Sequence, residues 1–67
     1  MTKVTLTPRE KQVLEHAADG RDCWSTGKLI GVSGNTVIFH RRNVFTKLDA
    51  VSMTQAVAKA IRWGLIA

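Results

Sequence analysis

Helix-capping residues and glycines divide this chain into four short segments, and this limits its fold more than any other feature of the sequence. Thr7 precedes Pro8 and stands three residues before Glu10, a spacing typical of a capping box with proline in the first turn. Gly20 follows as a residue that readily takes the left-handed conformation in which many helices end. We therefore predict a first helix from about Pro8 to Ala18.

Similar signals predict three further helices, each preceded by a residue whose side chain can cap it. With their caps, these helices occupy about 22–30, 33–48 and 52–63. Ser52 and Gln55 form a second predicted capping box, and Gly31 and Gly64 stand where the second and fourth helices should stop. No segment alternates apolar and polar residues with a period of two. The fold class is therefore predicted to be all-α.

Apolar residues recur at helical spacing inside these segments and define a small predicted core. Apolar stripes run through Val13, Leu14 and Ala17 in the first helix and through Met53, Ala56, Val57, Ala60 and Ile61 in the fourth, and the third helix should turn Val37, Val44 and Leu48 inward. The second and third helices are joined only by the link GVS, which is the outline of a helix-turn-helix. We predict a four-helix bundle with a central helix-turn-helix over residues 6–67, preceded by a tail or linker stub at residues 1–5.

The charge and the size of the chain restrict its function. Ten Lys and Arg residues against five Asp and Glu residues give a formal charge of +5, which favours a polyanionic partner, either nucleic acid or an acidic membrane. A membrane is disfavoured because the apolar stripes are needed for the core. That core is too thin to hold an enzyme pocket of roughly 300 Å³ easily. Cys23 is the only cysteine, so we expect no disulfide, no metal site and no cofactor.

One aromatic residue does not fit the predicted core. At about 100° per residue, a helix places Val37 and Val44 on one face and Phe39 roughly 160° away, beside Arg42 and Thr46. A phenylalanine in the middle of a cationic face indicates either contact with a ligand or burial beneath a loop or a partner subunit.

Five stretches of the chain carry a family resemblance: LTPREKQVL, AADG, VSGNTVIFH, NVFTKL and AIRWGLI. In this order and spacing they make Leu6 to Ile66 resemble the DNA-binding domain of LuxR-type transcription regulators. Trp24, the FH pair at 39–40 and TQAVAKAI further resemble the C-terminal half of acyl-homoserine-lactone quorum-sensing receptors. The resemblance implies a helix-turn-helix regulator of transcription and not an enzyme.

The resemblance also implies roles for individual residues. The third helix, about 34–48, would be the recognition helix in the major groove. Base edges would be approached by Ile38, Phe39 and Arg42, the phosphate backbone by Trp24, Thr36, Arg41 and Lys47, and a second subunit by Val57, Ala58 and Ile61. Phe39 would then face outward to pack on a thymine methyl. Thr36 and Lys47 are expected to extend the surface that carries Arg41 and Arg42, while Trp24 could instead simply cover the junction of the second and third helices.

The chain departs from the family pattern at several positions. Ser25 and Thr26 stand where Glu and Ile are usual, and with Gly27 they are modest helix formers. Ile38 stands where Lys, Arg or Asn is common, which removes a hydrogen bond to a base. Asp49 replaces a frequent glycine after the third helix. These departures bear on the operator sequence and the strength of binding rather than on the fold.

We expect a homodimer on double-stranded DNA in the bacterial cytoplasm, associated with the nucleoid, with half-sites about 34 Å apart. RNA polymerase is a further partner that the resemblance admits, whereas no membrane partner is expected. His16 and His40 are expected to pack or to form hydrogen bonds rather than to bind a ligand. The main alternative is a single-domain adaptor that dimerises with a full-length regulator and modulates it through protein–protein contacts.

Overall fold

The computed structural model describes residues 4–67, in which the chain forms four α-helices and no strand. Helix α1 spans Pro8–Ala18, α2 spans Cys23–Ile30, α3 spans Gly34–Leu48 and α4 spans Met53–Arg62. The predicted all-α class and the predicted helices are confirmed, except that α4 ends one residue early and has Trp63 as its C-cap. Within residues 4–67, none of the helices has the length and apolar character that crossing a bilayer requires.

Each helix begins directly after a residue whose side chain caps it, at the position predicted from the sequence. In the first capping box, the Glu10 N–H donates to the Thr7 hydroxyl and the Thr7 N–H donates to Glu10 Oε1 at 2.9 Å. The second box differs from the prediction, because the Gln55 side chain accepts from the Val51 N–H at 2.8 Å rather than from Ser52. Ser52 has a φ of −150°, against −69° at Thr7. The chain therefore enters α4 at a different angle and presents the N–H of Val51 to Gln55.

The main hydrophobic core lies where α1, α3 and α4 meet. Its buried members are Leu14, Val44, Leu48, Ala50, Ala56, Ala60 and Ile66. The predicted inward direction of Val37, Val44 and Leu48 is thus confirmed, and Val13 and Leu14 of the α1 stripe are buried as well. Val4 also packs against this core. The packed part of the chain therefore begins before residue 6, and the first three residues of the predicted tail lie outside the described residues.

The helix-turn-helix depends on a close approach at Gly27 in α2. The Val32 N–H donates to the Gly27 carbonyl at 2.9 Å. A Cβ atom added at Gly27 would lie 2.6 Å from the Val32 carbonyl oxygen, which is closer than real Cβ atoms come. Gly31 ends α2 in the left-handed conformation, as predicted. The turn that aims α3 therefore needs a residue without a side chain on the helix that precedes it.

Asp49 ends α3 in the left-handed conformation, with φ 51° and ψ 50°. This region normally costs a residue with a side chain about 1–2 kcal/mol, which explains why glycine suits the position. Lys59 of α4 compensates in part, because its ammonium donates to the carbonyls of Leu48 at 3.0 Å and Asp49 at 2.7 Å. Carbonyls at a helix end that lack a partner in the helix are thereby satisfied.

Candidate nucleic-acid interface

Helix α3 packs one face on the protein and leaves the opposite face open. Val37 and Val44 are buried, whereas the Phe39 side chain is 60 % exposed. Arg42 and Thr46, which flank Phe39 on the helix surface, are exposed as well. The predicted outward direction of Phe39 is therefore confirmed, and no loop within residues 4–67 covers it. The open face is cationic and apolar together, which suits contact with the edges of DNA bases.

The start of α3 is fixed by a cap and by a tryptophan from α2. The Thr36 N–H donates to the Ser33 hydroxyl oxygen at 3.1 Å, and the two hydroxyls lie 2.9 Å apart. The Trp24 ring lies so close over Gly34 that a Cβ atom there would overlap it. Trp24 nevertheless remains 60 % exposed. It thus covers the junction of α2 and α3, which is one of its two predicted roles.

Asp22 fixes the first turn of α2, on which Trp24 stands. Its carboxylate accepts a hydrogen bond from the Ser25 N–H at 2.7 Å. This hydrogen bond is the main reason why the pKa of Asp22 lies below its usual value. The carboxylate is therefore charged at neutral pH and favourably placed at the positive end of the α2 dipole.

Arg41 does not share a surface with Arg42. It lies about 40° around α3 from the buried Val37, and its guanidinium lies 3.6 Å from the Cys23 sulfur and 6.0 Å from the centre of the Phe45 ring. Its Nε is buried and has no hydrogen-bond partner within the described residues. The expectation of one continuous surface for both arginines is therefore wrong, because the helical period turns consecutive residues about 100° apart.

Lys47 lies near the far end of α3 and is bound to α1. Its ammonium is 2.7 Å from Glu10 Oε1 and donates to the Thr5 carbonyl at 3.1 Å. The Glu10 side chain is 4 % exposed and that of Lys47 is 36 % exposed. One carboxylate thus serves both the cap of α1 and an ion pair to α3. This ion pair joins the beginning of the domain to α3.

The pKa of Glu10 reflects these interactions. Burial raises the pKa, but the hydrogen bonds from Lys47 and from the Thr7 N–H, with the charge of the ammonium, outweigh burial. The pKa of Glu10 is therefore lowered from its ordinary value, and its carboxylate is charged at neutral pH.

The structure therefore divides the predicted DNA-contacting residues into two groups. Phe39 and Arg42 lie on the open face, Ile38 is half-buried at its edge, and Trp24 and Thr36 lie at the start of α3. The side chains of Arg41 and Lys47 are turned to partners within the protein. Helical spacing alone could have shown which way the Arg41 side chain points. No local pattern in the sequence predicts that Lys47 pairs with Glu10.

A hollow lies on the side of α3 that packs against the other helices. A cavity of about 200 Å³ between α1, α2 and α3 is lined mainly by apolar atoms, with Cys23 and Arg41 at one side. Within residues 4–67, no three His, Cys, Asp or Glu side chains come close enough to hold a metal ion.

Helix α4 carries the residues that were predicted to contact a second subunit. Ala58 is exposed, Ile61 is 50 % exposed, and Val57 is half-buried. Val57 also lines a shallow groove of about 230 Å³ between α4 and the end of α1. The three side chains form one apolar strip beside the core face of α4, and no residue of the described chain covers Ala58 or Ile61.

Comparison with known proteins gives concordant matches. The sequence model of the family described as bacterial regulatory proteins, luxR family, matches residues 4–60. The HTH-type quorum sensing-dependent transcriptional regulator RpaR of Rhodopseudomonas palustris is 44% identical over 61 residues, which are 91% of this chain and 25% of RpaR. The transcriptional activator protein SolR of Ralstonia solanacearum is 42% identical over 65 residues, 97% of this chain and 28% of SolR. The transcriptional activator protein LuxR of Aliivibrio fischeri is 41% identical over 61 residues, 91% of this chain and 24% of LuxR.

The chain spans about a quarter of the length of these relatives. Their names are those of transcription regulators, and none of the three names an enzyme. The family model covers more than half of the chain and includes all of α1, α2 and α3. The chain therefore belongs to the luxR family of bacterial regulatory proteins.

Proposed function

We propose that this chain binds duplex DNA at specific sequences, with α3 in the major groove, and so regulates transcription. The observation that carries the proposal is the exposure of Phe39 beside Arg42 on an otherwise well-packed helix. A phenylalanine can pack on a thymine methyl, and an arginine can form two hydrogen bonds with guanine. The net charge of +5 adds attraction to phosphates through the release of counterions.

In this proposal, Ile38, Phe39 and Arg42 contact bases, while Trp24 and Thr36 approach the backbone at the start of α3. Trp24 is suited to this position because one side of its ring rests on Gly34 and the other is exposed. We assign Arg41 and Lys47 mainly to holding α3 in place, because their side chains already have partners within the protein.

The proposed DNA-bound form is a homodimer joined through Val57, Ala58 and Ile61 of α4. The strip is short, so its interface is well below the standard size, and the free chain should be mostly monomeric at micromolar concentration. Two half-sites about 34 Å apart would bring two copies together. By extension from RpaR, which is named as a quorum sensing-dependent regulator, the regulation belongs to quorum sensing. RNA polymerase is a further proposed partner. The proposed location of the protein is the nucleoid, in the cytoplasm.

The test is selection of bound duplexes from a random pool, followed by titration of the selected site at several salt concentrations. A DNA-binding domain should give one preferred half-site and a strong decrease of affinity with salt. Phe39→Ala should melt near the wild-type temperature and relax the preference for one or two bases. A large loss of melting temperature with full specificity in the folded fraction would contradict the proposed recognition face.

The apolar strip on α4 also fits a single-domain adaptor that pairs with a full-length regulator. Such an adaptor would bind DNA weakly and without sequence preference at any salt concentration. The same titration therefore separates the two functions. Ile61→Ser should abolish pairing in either case, but only a DNA-binding domain would keep its specific affinity for a single half-site.

A further inference from the structure

Asn35 lies on the open face of α3, although no expectation from the sequence included it. The helix places Asn35 about 40° from Phe39 and about 20° from Arg42 around the axis. Its side chain is exposed. Asn35 is the second residue of α3, which spans Gly34–Leu48, and in helix-turn-helix proteins the N-terminal residues of this helix contact base edges.

No structural role within the domain accounts for an asparagine at this position. Asparagine is common where helices begin because its side chain can cap free N–H groups. Ser33 already performs this role, since its hydroxyl accepts from the Thr36 N–H at 3.1 Å. None of the side-chain hydrogen bonds found within residues 4–67 involves the Asn35 carboxamide, in contrast to Thr36, Arg41 and Lys47 on the same helix.

A free carboxamide on a base-facing helix has one well-matched partner in the major groove. It can donate to N7 and accept from the N6 amino group of adenine, and no other base presents this pair of groups. Asn35 and Arg42 are seven residues apart, which is about 10.5 Å along the helix axis. This distance corresponds to roughly three base-pair steps of about 3.4 Å when the helix follows the groove.

We propose that Asn35 reads an adenine in each half-site, about three base pairs from the pair that Arg42 contacts, with the Phe39 side chain between them. This inference rests on the proposed function, because it adds a specificity-determining residue to the same DNA-binding face. It predicts a half-site that contains an adenine at one end, a thymine methyl near the middle and a guanine at the other end.

The experiment compares the sequence preferences of the wild type and Asn35→Ala by selection from a random duplex pool. The second measurement replaces each adenine of the wild-type half-site in turn by 7-deazaadenine, which lacks the N7 acceptor. Gln12→Ala is the matched control, since it removes an exposed carboxamide from α1 instead of α3. Thermal melting of all three proteins shows whether the fold is retained, which we expect because Asn35 is exposed.

We expect Asn35→Ala to lose the preference at one adenine and to keep the preferences at the other positions. At that adenine, 7-deazaadenine should weaken wild-type binding about 5- to 100-fold and leave Asn35→Ala binding unchanged. Gln12→Ala should behave as the wild type in both assays. Unaltered preferences in Asn35→Ala, or wild-type indifference to 7-deazaadenine at every adenine, would overturn the assignment of Asn35 alone. A wild-type protein that selects no sequence would overturn it together with the proposed function.

Discussion

Replacing Lys47 by alanine separates the two roles that this residue could have. If Lys47 mainly binds Glu10, the substitution should destabilise the domain and change DNA binding little once the protein is folded. If it mainly binds a phosphate, the domain should stay stable and the salt dependence of binding should decrease. The distance of 2.7 Å between the ammonium and Glu10 Oε1 leads us to expect the first result.

The magnitude follows from the environment of the carboxylate that is left behind. Removing one partner of a fully buried ion pair typically costs about 3–5 kcal/mol. The Glu10 side chain is 4 % exposed, but that of Lys47 is 36 % exposed, so water can reach the carboxylate after the ammonium is gone. Glu10 also keeps its hydrogen bond from the Thr7 N–H at 2.9 Å. We therefore expect a loss of about 1–3 kcal/mol.

For a domain of this size, that loss should lower the melting temperature by about 5–20 °C. The assay is thermal and urea denaturation of the wild type, Lys47→Ala and Lys11→Ala, monitored by circular dichroism. Lys11 is the matched control, because its side chain is exposed on α1 and forms no hydrogen bond with another described residue. Glu10→Gln, alone and combined with Lys47→Ala, completes a double-mutant cycle that isolates the pair from the cap.

The effect should also depend on pH with a definite sign. The pKa of Glu10 is lowered in the folded protein, so the stability that its charged form contributes is present above the ordinary value of 4.5. That stability disappears as the pH falls through the lower, folded value. The difference in stability between wild type and Lys47→Ala should therefore be constant near neutral pH and should shrink in acid.

The salt dependence of DNA binding provides the result that would refute this reasoning. If the Lys47 ammonium binds a phosphate, Lys47→Ala should reduce the slope of log affinity against log salt by about one unit. An unchanged melting temperature together with such a reduction would show that Lys47 serves DNA and that its ion pair with Glu10 contributes little.

The other features of the fold give three further expectations. Gly27→Ala should lower the free energy of unfolding in urea by about 1–2 kcal/mol, because the new methyl group meets the Val32 carbonyl. An unchanged free energy of unfolding would mean that the turn can shift to make room for the methyl group. Asp49→Gly should raise the melting temperature by about 4–8 °C, the shift that removing about 1 kcal/mol of left-handed strain gives in a domain of this size, and a decrease would show that Asp49 is not strained. Ile61→Ser should abolish cooperative binding to a two-site duplex in gel-shift titrations while single-site affinity and folding persist; retained cooperativity would place the dimer interface elsewhere.

Most of the fold could be predicted because its signals are local. Thr7 with Glu10 and Ser33 with Thr36 are three residues apart, and such pairs can be found by inspection of the sequence. The outward direction of Phe39 followed from the period of the helix. The exception at Gln55 arose because the path of the chain into α4, rather than the spacing, decides which N–H its side chain meets.

The interface was harder to predict because it depends on interactions between distant segments. Glu10 and Lys47 are 37 residues apart, and nothing near either residue announces their pairing. Gly27 appeared to be a weak helix former until the position of Val32 gave a steric reason for it. Helical spacing could have placed Asn35 on the open face of α3. Its proposed role depends on its having no hydrogen-bond partner within residues 4–67, which only the structure could show.

Because the Trp24 ring lies over Gly34, the fluorescence of Trp24 reports on the surroundings of the start of α3. The indole touches the first residue of α3 on one side and is 60 % exposed, so its emission responds to whatever displaces water from the start of that helix. Trp63, the other tryptophan, lies at the end of α4 and is 45 % exposed. In Trp63→Phe, the fluorescence of the whole chain reports this one location, and DNA binding can be followed without an attached dye.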